Sequence, residues 1–257
     1  MPPWLDGPYY LNEESRGLGF DVSTNTFKMV CVFSRREFSK SETISKDLRT
    51  MVHVLGKDSS WREIPQVPPY PTSGDGIFAQ GCLYWFRQSN SREELICFDV
   101  RNEEFTLICP PKRRCDYFSS VSGDQLVDLL GEVGYAIFYS DDIIEVRVLK
   151  KKQWVKHCHF SKRPLPRFSL IKVLGRWNKD GDILIETGYG VKKLFVYSLK
   201  NQLLEEINVV GQKCGFGTYI YMYPASSMFS IRGVNKNAHS IKTDLKQLDK
   251  RFQSLNL

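Results

Sequence analysis

Four histidines and seven cysteines are the residues of this 257-residue chain with the most chemistry to offer. His157-Cys158-His159 has the composition of a metal tract, because imidazole nitrogen and thiolate sulfur are zinc ligands. In a strand, however, side chains alternate, so the two histidines share one face and the cysteine points to the other. His53 and His239 are isolated, no matching ligand pair lies near the tract in sequence, and no cysteine sits in a recognisable catalytic setting. The cysteines therefore read as small buried residues. Gly211-Gln212-Lys213-Cys214-Gly215-Phe216-Gly217 is rich in glycine but lacks the Gly-Lys-Ser/Thr ending that meets phosphate and magnesium, and it reads as a turn. Asn178-Lys179-Asp180-Gly181-Asp182 offers three oxygen-bearing side chains. The glycine and the downstream glutamate of a calcium loop are misplaced, which leaves a hairpin turn. Neither a G-x-S-x-G elbow nor an H-E-x-x-H helix is present. No catalytic, cofactor-binding or metal-ligating residue is expected, and the scarcity of histidine argues against a propeller enzyme.

Charge and composition narrow the class. Lysine and arginine number 36 against 29 acidic residues, a net charge of +7. The densest clusters, Lys112-Arg113-Arg114 and Lys150-Lys151-Lys152, fall where connections or hairpin turns are expected, and they read as solvated turns rather than a nucleic-acid surface. The longest apolar run, Val133 to Tyr139, is seven residues, far below the roughly 20 of a membrane-spanning helix. Met1-Pro2-Pro3-Trp4-Leu5-Asp6 lacks the basic start and apolar stretch of a secretory signal. The cysteines are odd in number and never spaced C-x-x-C, which fits reduced thiols in the cytoplasm or nucleus and no structural disulfide.

The elements that carry these residues are strands. Aromatic residues at 13%, with 18 Gly and 12 Pro, favour many short strands broken by turns. Gly19-Phe20-Asp21-Val22 to Phe27 and Cys97-Phe98-Asp99-Val100 to Phe105 share one pattern of strand, polar turn and strand. Looser versions end at Trp61, Trp154 and Leu204. In the series Phe27, Trp61, Phe105, Trp154, Leu204 the spacings are 34, 44, 49 and 50 residues, near those of four-stranded propeller blades. Gly81–Phe86, Val133–Tyr139 and Asp182–Thr187 read as inner strands, each ahead of one of these hairpins. Trp61, Phe105 and Trp154 recur at equivalent positions, which assigns them to blade cores rather than to a binding face. Residues 34–50, polar and without periodicity, read as one long projecting loop. Ile241, Leu245, Leu248, Phe252 and Leu255 recur at helical spacing and predict a short C-terminal helix.

In order along the chain, Gly17-Leu18-Gly19-Phe20-Asp21 with Thr24-Asn25-Thr26-Phe27, Ser60-Trp61-Arg62-Glu63-Ile64, Gly81-Cys82-Leu83-Tyr84-Trp85, Ile96-Cys97-Phe98-Asp99-Val100, and Tyr221-Met222-Tyr223-Pro224-Ala225-Ser226-Ser227 resemble the F-box associated region of plant F-box proteins. The resemblance implies an all-β, kelch-like β-propeller, here incomplete with four to five blade-like hairpin repeats. It divides the chain into an N-terminal extension at 1–16, the propeller-like domain at 17–234 and a basic tail at 235–257. It also implies a non-catalytic domain that captures a target protein for ubiquitination, while a separate F-box recruits a Skp-type adaptor and a cullin. Only 16 residues precede Gly17, too few for an F-box of about 45 residues, so a stand-alone scaffold or decoy is the alternative expectation. No cofactor, membrane or nucleic-acid partner is expected.

Overall fold

Period-two alternation dominates the sequence, and it runs on both faces of its strands: in β2, Val30 and Val32 are buried on one face and Cys31 and Phe33 on the other. A sheet with two apolar faces needs a neighbour on each of them. A computed structural model of the chain describes residues 10–37, 46–57, 60–88, 94–113, 123–139, 142–165, 170–188 and 192–207. Every regular element among them is a strand, sixteen in all. The first sheet holds β1 (Tyr10–Asp21), β2 (Thr26–Glu37), β3 (Lys46–Val54) and β4 (Arg62–Ile64). The second holds β5 (Thr72–Ala79), β6 (Cys82–Arg87), β7 (Leu95–Asp99) and β8 (Glu104–Ile108). A third is formed by β9 (Gln125–Asp128), β10 (Val133–Phe138), β11 (Ile143–Lys150) and β12 (Gln153–Ser161), and a fourth by β13 (Ile171–Arg176), β14 (Ile183–Thr187), β15 (Lys193–Ser198) and β16 (Leu203–Ile207).

Each group of four is an antiparallel meander in sequence order. The first two are joined into one eight-stranded sheet through a single parallel pairing of Arg16 in β1 with Asp75 in β5. Leading strands β9 and β13 also run side by side, because the Gln125 side chain donates to the Ile171 carbonyl and accepts from the Val173 amide, at 2.7 and 2.8 Å. All-β architecture built from blade-like repeats agrees with the sequence expectation.

Three expectations are corrected. The described residues of 34–50, at 34–37 and 46–50, are strand: β2 continues to Glu37, β3 begins at Lys46, and Arg36 pairs with Lys46. Cross-strand pairing, rather than apolar periodicity, holds that polar stretch extended. Phe27 is out of phase with the other hairpin-closing residues, since it opens the second strand of its sheet, whereas Trp61 adjoins β4 and Phe105, Trp154 and Leu204 lie in β8, β12 and β16. The strands read as inner, β6, β10 and β14, are second in their sheets; the leading strands β5, β9 and β13 precede them. β1 also takes in residues 10–16, ahead of the expected domain start. The C-terminal helix, Gly211–Gly217, Tyr221–Ser227 and the tail at 235–257 lie outside the described residues.

Stacked sheets enclose the core. Val30, Val52, Leu83, Trp85, Phe98 and Val100 fill the joint between the first and second sheets. Ala79, Tyr84, Val133 and Leu149 join the second to the third, and Val127, Val146, Val173, Ile185 and Phe195 the third to the fourth. Trp85, fully buried, is seated by a departure from regular pairing. Between the pairs Ser73–Phe86 and Ile77–Tyr84, three β5 residues oppose Trp85 alone. That bulge places Gly76 under the indole, where an added Cβ would lie 2.5 Å from Trp85 Cε2. The indole nitrogen then donates to the Arg16 carbonyl of β1 at 3.1 Å.

The same joint holds a buried cation. Lys28 Nζ donates to the Val100 carbonyl at 2.9 Å and to Glu103 Oε1 at 3.0 Å, and it pairs with Asp21 Oδ2 at 3.1 Å. Asp21 and Glu103 belong to the two repeated strand-turn-strand patterns, which therefore meet around one ammonium group. Asp21 also closes its own turn, accepting from the Ser23 amide and hydroxyl, and Asp99 does the same with the amides of Arg101 and Asn102. Burial works against ionisation of Asp21, but hydrogen bonds from Ser23, Lys28 and Thr24 hold its carboxyl well below the usual carboxylate range. Glu103 is likewise held down, against burial, by Arg62 and Lys28.

Asp124, just ahead of β9, has a buried carboxylate that accepts from Arg113, from the Tyr135 hydroxyl at 3.0 Å and from the Phe138 amide at 3.1 Å. Arg113, expected in a solvated turn, is thus partly buried in an ion pair with Asp124 beside the third sheet.

Three outcomes follow from these joints. Lys28→Met keeps the aliphatic stem but removes the ammonium between Asp21 and Glu103, leaving Glu103 to Arg62 alone, and denaturant unfolding at neutral pH will show a loss of about 3–5 kcal/mol. Both carboxyls have lowered folded-state values, so the stability they contribute is complete above their unfolded values near pH 4 and fades as pH falls through the folded ones; the gap between wild type and Lys28→Met will narrow over that acid range. Gly76→Ala will cost about 1–3 kcal/mol by overpacking the indole, and less in a Trp85→Phe background. Asp124→Ala, which removes the carboxylate that accepts from Arg113, Tyr135 and Phe138, will lower the thermal midpoint and cost about 3 kcal/mol.

Candidate functional site

Sheet topology sorts the connections into two classes. The turns β1–β2 and β3–β4 and their counterparts in the other three sheets share one end of the strands, since Lys28 near the start of β2 pairs with Val54 at the end of β3, and Cys82 of β6 with Asp99 of β7. The opposite end carries the longer connections, including the sixteen residues between Ile108 and Gln125. Binding residues concentrate on such connections, held by a rigid scaffold.

At the longer-connection end, cations and aromatic rings are built together. The Arg87 guanidinium, at the end of β6, lies 3.5 Å from the centre of the Tyr70 ring and bonds Glu94 Oε2 at 2.8 Å. Tyr70 stands on the β4–β5 connection, and the Gln88 amide ties that connection down by donating to the Pro71 carbonyl at 2.7 Å. One sheet further on is the Arg113–Asp124–Tyr135 network. Beyond it, Lys162 Nζ donates to the Tyr139 carbonyl at 2.7 Å and faces the Phe138 ring at 5.9 Å. Guanidinium–aromatic pairs of this kind present an ordered, amphipathic surface whose groups need little further ordering on binding.

The residues considered from sequence fall elsewhere. His157 is the extra residue of a bulge, since Arg147 pairs with Lys156 and Val146 with Cys158, and its Nε2 lies 2.9 Å from the Gly181 carbonyl of the fourth sheet. Cys158 faces the core, where burial pushes its thiol up to about 12, the reverse of an activated nucleophile. His159 is exposed, and His53 packs against Trp61 with ring centres 5.4 Å apart. His239 lies outside the described residues. Among the described residues no three His, Cys, Asp or Glu side chains converge as a metal group. Asp182, in the suspected calcium loop, accepts instead from the Leu199 amide and from Asn178 Nδ2, both at 2.8 Å.

Phe105 packs on Phe98 at 4.8 Å, and Trp154 on Tyr135 at 5.7 Å while its indole donates to the Cys109 carbonyl of the second sheet. Trp61, Phe105, Trp154 and Leu204 are all half-buried residues packed against core clusters. Sequence reasoning missed Tyr70, Arg87 and Asp124. Their partners lie 7 to 17 residues away across irregular connections, where no periodicity signals contact.

Residues 12–216 match the F-box associated beta propeller domain. Among curated relatives, F-box protein At1g30790 of Arabidopsis thaliana is 23% identical over 217 residues, covering 76% of this chain and 53% of that protein. Putative F-box protein At1g30920 of the same plant is 32% identical over 142 residues, covering 52% and 31%. The chain therefore spans about half or less of the length of these relatives. A solved structure, a triple-arginine mutant of AofleA from Arthrobotrys oligospora, aligns at 11% identity and a TM-score of 0.43 over 78% of this chain and 57% of its own; the fold assignment here rests on strand pairing and the family match. The span matched by that family takes in all the strands from β2 to β16 and all but two residues of β1, and the chain belongs to the F-box associated beta propeller domain family.

Proposed function

We propose that the chain is the non-catalytic substrate-recognition part of an F-box protein, holding a target protein for ubiquitination in the cytoplasm or nucleus. Membership of the F-box associated family across 12–216 is the observation that carries this reading. The F-box of the longer relatives supplies the link to a Skp-type adaptor and cullin in the proposed assembly. The target binds at the longer-connection end, where Tyr70 and Arg87 form the kind of aromatic and arginine anchor that dominates protein interfaces.

The test is affinity capture from plant extract with the tagged chain, comparing wild type with Tyr70→Ala/Arg87→Ala. A protein retained by wild type and lost by at least about tenfold in the variant is expected, since central anchors are worth 2 kcal/mol or more. Circular dichroism will show the variant folded. Equal retention by both chains overturns the assignment of this end. Recovery of a target together with adaptor and cullin supports the ligase role, and recovery of a target never accompanied by them in the full-length relative's context overturns it.

A further inference from the structure

The short-turn end of the sheets has a charge pattern of its own. Four of its turns close the outer hairpins β3–β4, β7–β8, β11–β12 and β15–β16, and each presents an exposed basic residue: Lys57, Arg101, Lys151 with Lys152, and Lys200. Lys179 adds another from the β13–β14 turn, beside Trp177, which is 46% exposed. None of these six cations forms an ion pair with a described residue.

Acids at this end are already engaged. Glu103 meets Lys28 and Arg62, Glu132 meets Arg176 and Lys150, and Asp21, Asp99 and Asp182 accept from the amides of their own turns or of the adjoining hairpin. Asp180 is the one exposed acid of the described turn residues; Asp58 lies outside them. At the opposite end, by contrast, Arg87, Arg113, Lys192 and Lys193 are held by Glu94, Asp124, Glu186 and Glu206. Lys112 and Arg163 are exposed there as well, so among the described residues the short-turn end carries the larger number of exposed cations outside ion pairs.

The β11–β12 turn sets two of these cations side by side. Lys151 and Lys152 both adopt positive φ, 47° and 65°, the two-residue turn for which Asn-Gly is favoured.

We propose that the short-turn end is a docking surface for an acidic segment of a partner protein. An extended chain rises about 3.3 Å per residue, so an acidic segment of several residues reaches the basic residues of more than one turn. A nucleic acid fits less well: a single strand needs a row of stacking rings, and Trp177 is the exposed aromatic residue of these turns. This surface is distinct from the Tyr70–Arg87 end and is independent of what that end holds.

Fluorescence anisotropy with the purified full chain and a short labelled poly-glutamate peptide tests the proposal, with a poly-glutamine peptide of equal length as reference. Expected are binding of poly-glutamate that weakens as salt rises and a loss of about tenfold or more in Lys151→Glu/Lys200→Glu. Lys112→Glu/Arg163→Glu, the same change in net charge placed on the longer connections, will leave the affinity within about twofold. Matching thermal midpoints will establish that both variants are folded. Absence of binding at low salt, equal losses in the two variants, or tighter binding of an oligo-thymidine strand or of anionic vesicles than of the peptide overturns it.

Discussion

Stacking of sheets that are apolar on both faces is the constraint on which this domain depends. Dispersion and hydrophobic burial bring the sheets together without direction, so something else must fix how they align. That role falls to side-chain donors reaching the carbonyls of the next sheet: Trp85 to Arg16, Lys28 to Val100, Trp154 to Cys109, and Gln125 to Ile171. His157 stands in the same relation to Gly181. A buried donor left unmatched is costly, so a sheet displaced along its neighbour loses these bonds as well as packing. Bulges at Gly76 and His157 supply the irregularity that aims two of these side chains.

A scaffold fixed in this way presents two unlike ends. The longer connections bring Tyr70 to Arg87 and Asp124 to Arg113, groups already neutralised and ordered. The short turns present cations left uncompensated. Shape and aromatic contact dominate at the first, long-range attraction at the second, and attraction of that kind raises the rate of encounter more than the final affinity.

Much of the fold was legible because alternation and turn residues are local signals. Ile144, Val146 and Val148 share a face in the sequence as in β11, and the Asp-centred turns at Asp21 and Asp99 follow from their side-chain chemistry. The leading strands were not legible: β5 is interrupted by Gly74 and Gly76, and β9 has four residues, so neither builds a period. Lys28 did leave a trace, as a charge on the same strand face as Val30 and Val32. Its meaning required Glu103, 75 residues distant. Tyr70 with Arg87, and Arg113 with Asp124, meet through irregular connections where spacing carries no geometric rule, so the candidate surface was the least readable part.

Native-state hydrogen exchange across a denaturant series tests the dependence on stacking most directly. If donors between sheets and the shared cores hold the domain together, the slowest amides of β2, β6, β10 and β14 will exchange with one common free energy and one denaturant slope, as a single cooperative unit. Separate free energies and slopes for the individual sheets, with one opening fully while its neighbours stay protected, would contradict the account.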